Sequence, residues 1–138
     1  MSNYAYVATR ARSRRSRLLP AEAYNQLLNL EHAEIARYIQ DLEYRREIDR
    51  YGSTLSGADL IETALVDNLA KDIGDFLSFS KGKLRDILHV YAEKYRVDNL
   101  KNIIRGINQN MDRQNLERLV CSINDSDKDL YSKLYCLL

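Results

Sequence analysis

Between Ser56 and Ser80, apolar residues recur every three or four positions. Ile61, Leu65, Leu69, Ile73, Phe76 and Leu77 share one face, opposite Glu62, Thr63, Asp67, Lys71 and Asp75. That spacing predicts a helix over about 58–79, ~30 Å long at 1.5 Å per residue. Ser56 and Asp59 supply an S-x-x-D start that can cap it. Asn68, beside the stripe, reads as an interhelical hydrogen bonder. A helix this long excludes most small β architectures, and turn residues agree. Five Gly and one Pro in 138 residues are too few for a chain that turns every ~8–12 residues. No Gly-rich strand-to-helix turn marks a doubly wound sheet.

The flanking segments carry the same helical period. Tyr4, Val7, Ala8, Ala11, Arg15 and Leu18 predict a first helix, and Pro20 suits the first turn of a short second one holding Leu27 and Leu28. Ile35, Tyr38, Ile39 and Leu42 predict a third that frays before Gly52. After the break at Ser80–Lys83, Leu84, Ile87, Leu88, Tyr91, Ala92 and Tyr95 predict a helix over 84–95. A joint is expected at Arg96-Val97-Asp98, with Asp98 capping a further helix over 97–107. Two short apolar stripes follow, Leu116, Leu119, Val120 and Ile123, then Leu130, Tyr131, Leu134 and Tyr135, separated by a capping loop at Asp125-Ser126-Asp127. The expectation is an all-α fold of about seven helices. Ile61, Leu65, Leu69, Leu88, Ile103 and Ile104 should pack between the central ones. Asn108-Gln109-Asn110 reads as a loop. Leu137 and Leu138 end an apolar stripe at the terminus, which fits a shortened chain or self-association.

Charge is unevenly distributed. Arg10, Arg12, Arg14, Arg15 and Arg17 give residues 1–19 a charge of +5, while the remaining 119 residues carry 16 bases and 20 acids. Such a basic end suits three roles: resting on its own acidic fold, meeting an acidic protein, or binding nucleic acid or lipid.

Catalytic patterns are missing. Gly82-Lys83 lacks the rest of a phosphate-binding loop. His32 and His89 have no second His or Cys at i+3 or i+4, so no metal ligands are assigned. Cys121 and Cys136 form no disulfide or zinc pattern. Asp72/Asp75 and Glu43/Glu47 read as solvated helix faces. Ten tyrosines read as core-edge residues with hydroxyls reaching water. No catalytic or cofactor-binding residue is assigned, and no run of ~18 apolar residues is present.

Three stretches resemble a known family. Leu60-Ile61-Glu62-Thr63-Ala64-Leu65-Val66-Asp67-Asn68-Leu69-Ala70 is similar to a helix of the C-subunit family of archaeal and vacuolar-type ATPases, which includes the d-subunit of the vacuolar enzyme. Tyr91 through Arg105, with Asp98-Asn99-Leu100-Lys101 at its centre, resembles that family's most recognisable signature. Tyr4-Ala5-Tyr6-Val7 followed by the Arg-rich helix resembles its opening. The resemblance covers 1–107 well and 108–138 loosely. It implies the first of three helical modules of a funnel-shaped, non-catalytic central-stalk component, with 108–138 starting a second. It makes Glu62, Leu65, Leu69, Asp98, Asn99, Leu100, Lys101 and Arg105 a packing motif. It further implies partners in the membrane rotor ring and the central shaft of a proton- or sodium-translocating ATP synthase, and a peripheral site on the cytoplasmic side of the membrane. The Arg10–Arg17 face is the candidate contact. The competing reading is a small, basic-armed helical protein that binds nucleic acid or acts as a scaffold.

Overall fold

The computed structural model describes residues 3–118 and 120–136. Among these, every regular element is a helix: α1 (Tyr4–Arg15), α2 (Ala21–Leu27), α3 (His32–Gln40), α4 (Arg45–Tyr51), α5 (Gly57–Phe79), α6 (Lys83–Asn108), α7 (Arg113–Arg118) and α8 (Asp125–Tyr135). None of the described helices is long and apolar enough to cross a membrane. The chain divides into two compact units, Tyr4–Asn68 and Leu69–Leu138 with Met1–Asn3. The division falls inside α5.

In the first unit, Ala36 and Ile39 of α3, Ile48 of α4 and Leu60 and Ala64 of α5 share a core rimmed by Tyr38, Tyr44, Tyr51, Leu55 and Ile61. The single helix expected from Ile35 toward Gly52 is two helices, because a turn at 41–44 folds α4 back on α3. That reversal brings Ile48 to the core beside Ile39, and Gln40 Nε2 donates to Asp49 Oδ1 at 2.6 Å. No Gly or Pro marks the turn, so burial of Ile48 and not local propensity sets it. Glu47, expected on a solvated face, is buried. Asp67, expected on the polar side of α5, accepts from the Tyr51 hydroxyl at 3.1 Å and pairs with Arg50 at 3.3 Å. Asp67 thus takes the bonding role expected of its neighbour Asn68. Burial and the Asp67 carboxylate push the Tyr51 hydroxyl pKa up.

In the second unit, α6 runs unbroken from Lys83 to Asn108, so the joint at Arg96–Asp98 does not form. Arg96, Val97 and Asp98 include no breaker, and a β-branched valine costs a helix only a fraction of a kcal/mol. Asp98 does not cap: its carboxylate pairs with Lys101 at 3.2 Å within the helix. The break before α6 does form where expected. Gly82 sits at φ +58° there, a conformation glycine adopts without a Cβ penalty. Asn3 pins the same corner, donating from Nδ2 to the Phe79 carbonyl at 2.7 Å and accepting from the Lys81 N–H at 3.0 Å.

Packing departs from the expected seam. Leu65, Leu69 and Ile104 are 39%, 41% and 59% exposed, whereas Ile103 is buried. The fully buried positions of α5 flank the expected stripe, Leu60 and Ala64 on one side of it and Ala70 on the other. The second core consists of Ile103, Leu116, Tyr131 and Tyr135, with Leu100, Ile107, Met111, Val120, Leu130 and Leu134 around it. α7 and α8 therefore fold back onto α6. α7 stops at Arg118, and Val120–Ile123 is not helical. The expectations for Leu119, Leu137 and Leu138 lie outside the described residues.

Candidate functional site

Two regions collect the residues singled out above. The first is the basic face of α1. Arg10 donates from Nε to the Tyr6 hydroxyl at 3.0 Å, and its guanidinium lies 5.3 Å from the Tyr6 ring centroid. Arg17 grips both carboxylate oxygens of Glu43 at 3.0 and 3.1 Å. Both groups of that pair are more than half exposed, so it adds little stability and mainly orients the side chains. Arg14 is half-buried and partnered. Arg12 and Arg15 are exposed and make no ion pair among the described residues. The arginine cluster thus splits: Arg17 is held by Glu43, whereas Arg12 and Arg15 are exposed without an ion pair among the described residues.

The second region is the junction of α6 with α7 and α8, which holds the signature around Asn99. Helical spacing puts Ala92, Asn99, Ile103 and Gly106 on one buried stripe of α6. Asn99 is 3% exposed, and its side chain makes three hydrogen bonds. Its Nδ2 donates to the Cys121 carbonyl at 2.7 Å and to the Tyr131 hydroxyl at 3.1 Å, and its Oδ1 accepts from the Cys121 N–H at 3.0 Å. A side-chain amide is the one common group that both donates to and accepts from an extended peptide unit. It satisfies the backbone of a segment that has no helix of its own. A second tie runs alongside: Arg96 Nε lies 3.3 Å from Oδ1 of buried Asp127. Burial pushes the Asp127 carboxyl pKa up, against the Arg96 charge that lowers it. Asn124 caps α8, its Oδ1 accepting from the Asp127 N–H at 2.8 Å.

Gly106 closes the stripe. A Cβ there would collide with Leu116 Cδ2, so glycine lets fully buried Leu116 seat against α6 without displacement. Gly74 plays a milder version of this role, where a Cβ would meet the Ile123 carbonyl at 3.1 Å. Beside the junction, a shallow pocket of about 240 Å³ is lined by Arg113, Glu117, Lys128, Tyr131 and Tyr135 among others. Arg113 is tied to Glu117 at 2.7 Å, and burial pushes the Tyr135 hydroxyl pKa up to about 12.

The other signature residues scatter. Glu62 is exposed, as are Lys101 and Arg105, while Leu100 is half-buried beside the second core. Sequence reasoning grouped Asn99 with its neighbours but missed its partners, along with Gly106, Tyr131 and the Arg96–Asp127 tie. One signal was present: a lone amide in register with Ala92 and Ile103. Among the described residues no cluster of three or more His, Cys, Asp or Glu is placed to hold a metal. What the junction offers is a rigid, hydrogen-bonded helical joint.

Residues 7–134 match the profile of the family described as ATP synthase (C/AC39) subunit. The chain is 40% identical over 133 residues to the A-type ATP synthase C-subunit of Haloferax volcanii, covering 96% of this chain and 38% of that relative. It is 35% identical over 131 residues to the protein of the same name from Archaeoglobus fulgidus, covering 95% and 38%, and 41% identical over 105 residues to that from Methanosarcina mazei, covering 76% and 29%. No solved structure matches it. The matched part thus spans 29–38% of the length of these curated relatives. With nearly its whole length matched by the profile, the chain belongs to the ATP synthase C/AC39 family.

Proposed function

We propose that this chain acts as a non-catalytic central-stalk element of an A-type ATP synthase, coupling the rotating shaft to the membrane rotor ring. The observation that carries the reading is the family match across 7–134, shared with relatives named as C-subunits of A-type ATP synthases. That match favours it over a nucleic-acid-binding or scaffold role, which only the basic N-terminus suggests. The build of the junction is in keeping with it. A coupler transmits torque by stiffness, and α6 is one unbroken helix of 26 residues, about 39 Å long, cross-tied by Asn99 and Arg96. Its partners are the proteins of the ring and the shaft, and it sits peripherally at the cytoplasmic face of the membrane through them. In this reading residues 1–107 supply a first module and 108–138 lead into a second. Exposed Arg12 and Arg15 register the chain against an acidic partner surface, since charge complementarity sets orientation and on-rate more than affinity.

The experiment is affinity purification of the tagged chain from a cell that assembles an A-type synthase. Ring and shaft proteins should co-purify, and Arg12→Glu/Arg15→Glu should reduce their yield at low salt more than at high salt. Recovery of the chain without any other synthase component overturns the reading. ATP hydrolysis by the purified chain, abolished by one substitution in it, overturns the non-catalytic assignment.

A further inference from the structure

The shallow pocket beside the junction lies wholly within the second unit, between α7, the non-helical link at 120–123 and α8. Helical spacing builds its wall. Lys128, Ser132 and Tyr135 fall at i, i+4 and i+7 on α8, Arg113 and Glu117 at i and i+4 on α7, and Ser122 comes from the link. Glu117 accepts from Arg113 Nε at 2.7 Å, and the guanidinium lies 5.8 Å from the Tyr135 ring centroid. These two contacts orient the guanidinium yet leave its two terminal nitrogens without a protein acceptor among the described residues. A guanidinium held that way can fork onto two oxygens of an anion.

The rest of the lining is of the same kind. The hydroxyls of Ser122, Ser132 and Tyr135 have no hydrogen-bond partner among the described residues. Tyr135 is buried, and its hydroxyl, pushed up to about 12, stays protonated and can donate at neutral pH. Lys128 adds a second positive charge, so two cations face one carboxylate. Tyr131, on the same wall, is bonded to Asn99, which ties the pocket to α6. One carboxylate is too few for a divalent cation, and an apolar ligand would strip water from charges without replacing it. An oxyanion fits this set. A phosphate presents three tetrahedrally placed oxygens against the two coplanar ones of a carboxylate, which suits donors arriving from α7, the link and α8. A volume of about 240 Å³ lies below the ~300–1,000 Å³ of drug-sized sites, so only a short organic part could accompany it. We propose that this pocket binds a phosphate group, either free or as the monoester of a small molecule. The inference rests on the chemistry of the pocket and not on the torque-coupling role.

The test is calorimetric titration of this full chain at low salt with inorganic phosphate, glycerol 3-phosphate and acetate. The expected result is 1:1 binding of both phosphate probes, about tenfold or more tighter than acetate, and the tighter of the two identifies the free ion or the ester as the ligand. Arg113→Ala should weaken it about tenfold or more. Arg113→Lys, which keeps the charge and loses the fork, should restore only part of it. Ser132→Ala should weaken it a few-fold, and Lys133→Gln, outside the pocket, should leave it unchanged. Arg113 and Ser132 are exposed, so their conservative variants keep the test decisive if Arg113→Ala fails to fold. Phosphate should also raise the melting temperature of the chain, and should not raise that of Arg113→Ala. Absence of saturable binding by either phosphate probe overturns the inference. So does binding that Arg113→Lys and Ser132→Ala leave untouched, or acetate bound as tightly as phosphate. Capture by phosphatidic-acid vesicles without binding of either soluble probe overturns it too, because the face would then be a lipid-surface contact.

Discussion

Replacing Asn99 by Leu tests whether the α6–α8 junction is held by its amide clamp or by apolar packing alone. Leucine keeps much of the side chain's shape and removes its polar atoms. The Cys121 N–H, the Cys121 carbonyl and the Tyr131 hydroxyl then lose their Asn99 partner in a site where Asn99 and Tyr131 are almost wholly buried. A buried polar group left unsatisfied costs ~1–3 kcal/mol, and three that share one site do not add fully. The expected loss is about 3–5 kcal/mol, a large part of the ~5–15 kcal/mol by which a domain is stable. Tyr131→Phe removes only the longest of the three bonds and should cost about 1 kcal/mol. Urea unfolding supplies the free energies, and the double variant gives the coupling. Because Asn99 ties down a non-helical segment, the loss should appear locally first. Amide exchange at Cys121 and across α8 should accelerate, and the buried Cys121 thiol should become reactive while exposed Cys136 is unaffected. A loss below about 1 kcal/mol, with Cys121 exchange unchanged, would refute the clamp and leave packing around Leu116 as the cause of the fold-back.

Other expectations follow from the same geometry. Gly106→Ala should destabilise by about 1–3 kcal/mol despite alanine's better helix propensity, and Leu116→Ala in the same chain should relieve part of the clash, measured as a non-additive double-variant cycle. Leu116→Ala alone should cost about 2–5 kcal/mol, while Leu65→Ala, at a partly exposed position, should cost under about 1.5 kcal/mol; equal losses in urea melts would contradict the packing described. Asp127 has a folded pKa raised by burial, so the folded chain holds its proton more tightly than the unfolded chain. Stability should therefore rise as pH falls from neutral through the folded pKa toward the ordinary value of 3.8, relative to Asp127→Asn, in which this contribution is absent. The opposite slope would mean that Arg96 outweighs burial.

Much of the fold is written locally. A sustained 3.6-residue period commits a segment to helix even across one interior glycine, Gly74, which is why α5 lies within a residue of its expected start, and the break before α6 falls at Gly82. The family was legible for a related reason: long stretches such as 60–70 and 91–105 keep their order along the chain. Tertiary structure decided what propensity leaves nearly degenerate. A valine-containing stretch at 96–98 tolerates either a joint or a continuous helix, and ties from Arg96 to Glu93 and Asp127 select the latter. The turn at 41–44 exists because folding back buries Ile48 beside Ile39. On α5 the fully buried positions are Leu60, Ala64 and Ala70, while the bulkier Leu65 and Leu69 that a hydrophobicity pattern prefers stay partly exposed. The role of Asn99 was beyond local reading. A buried amide is favourable only when it meets donors and acceptors of matching geometry, and those come from Cys121 and Tyr131, 22 and 32 residues away.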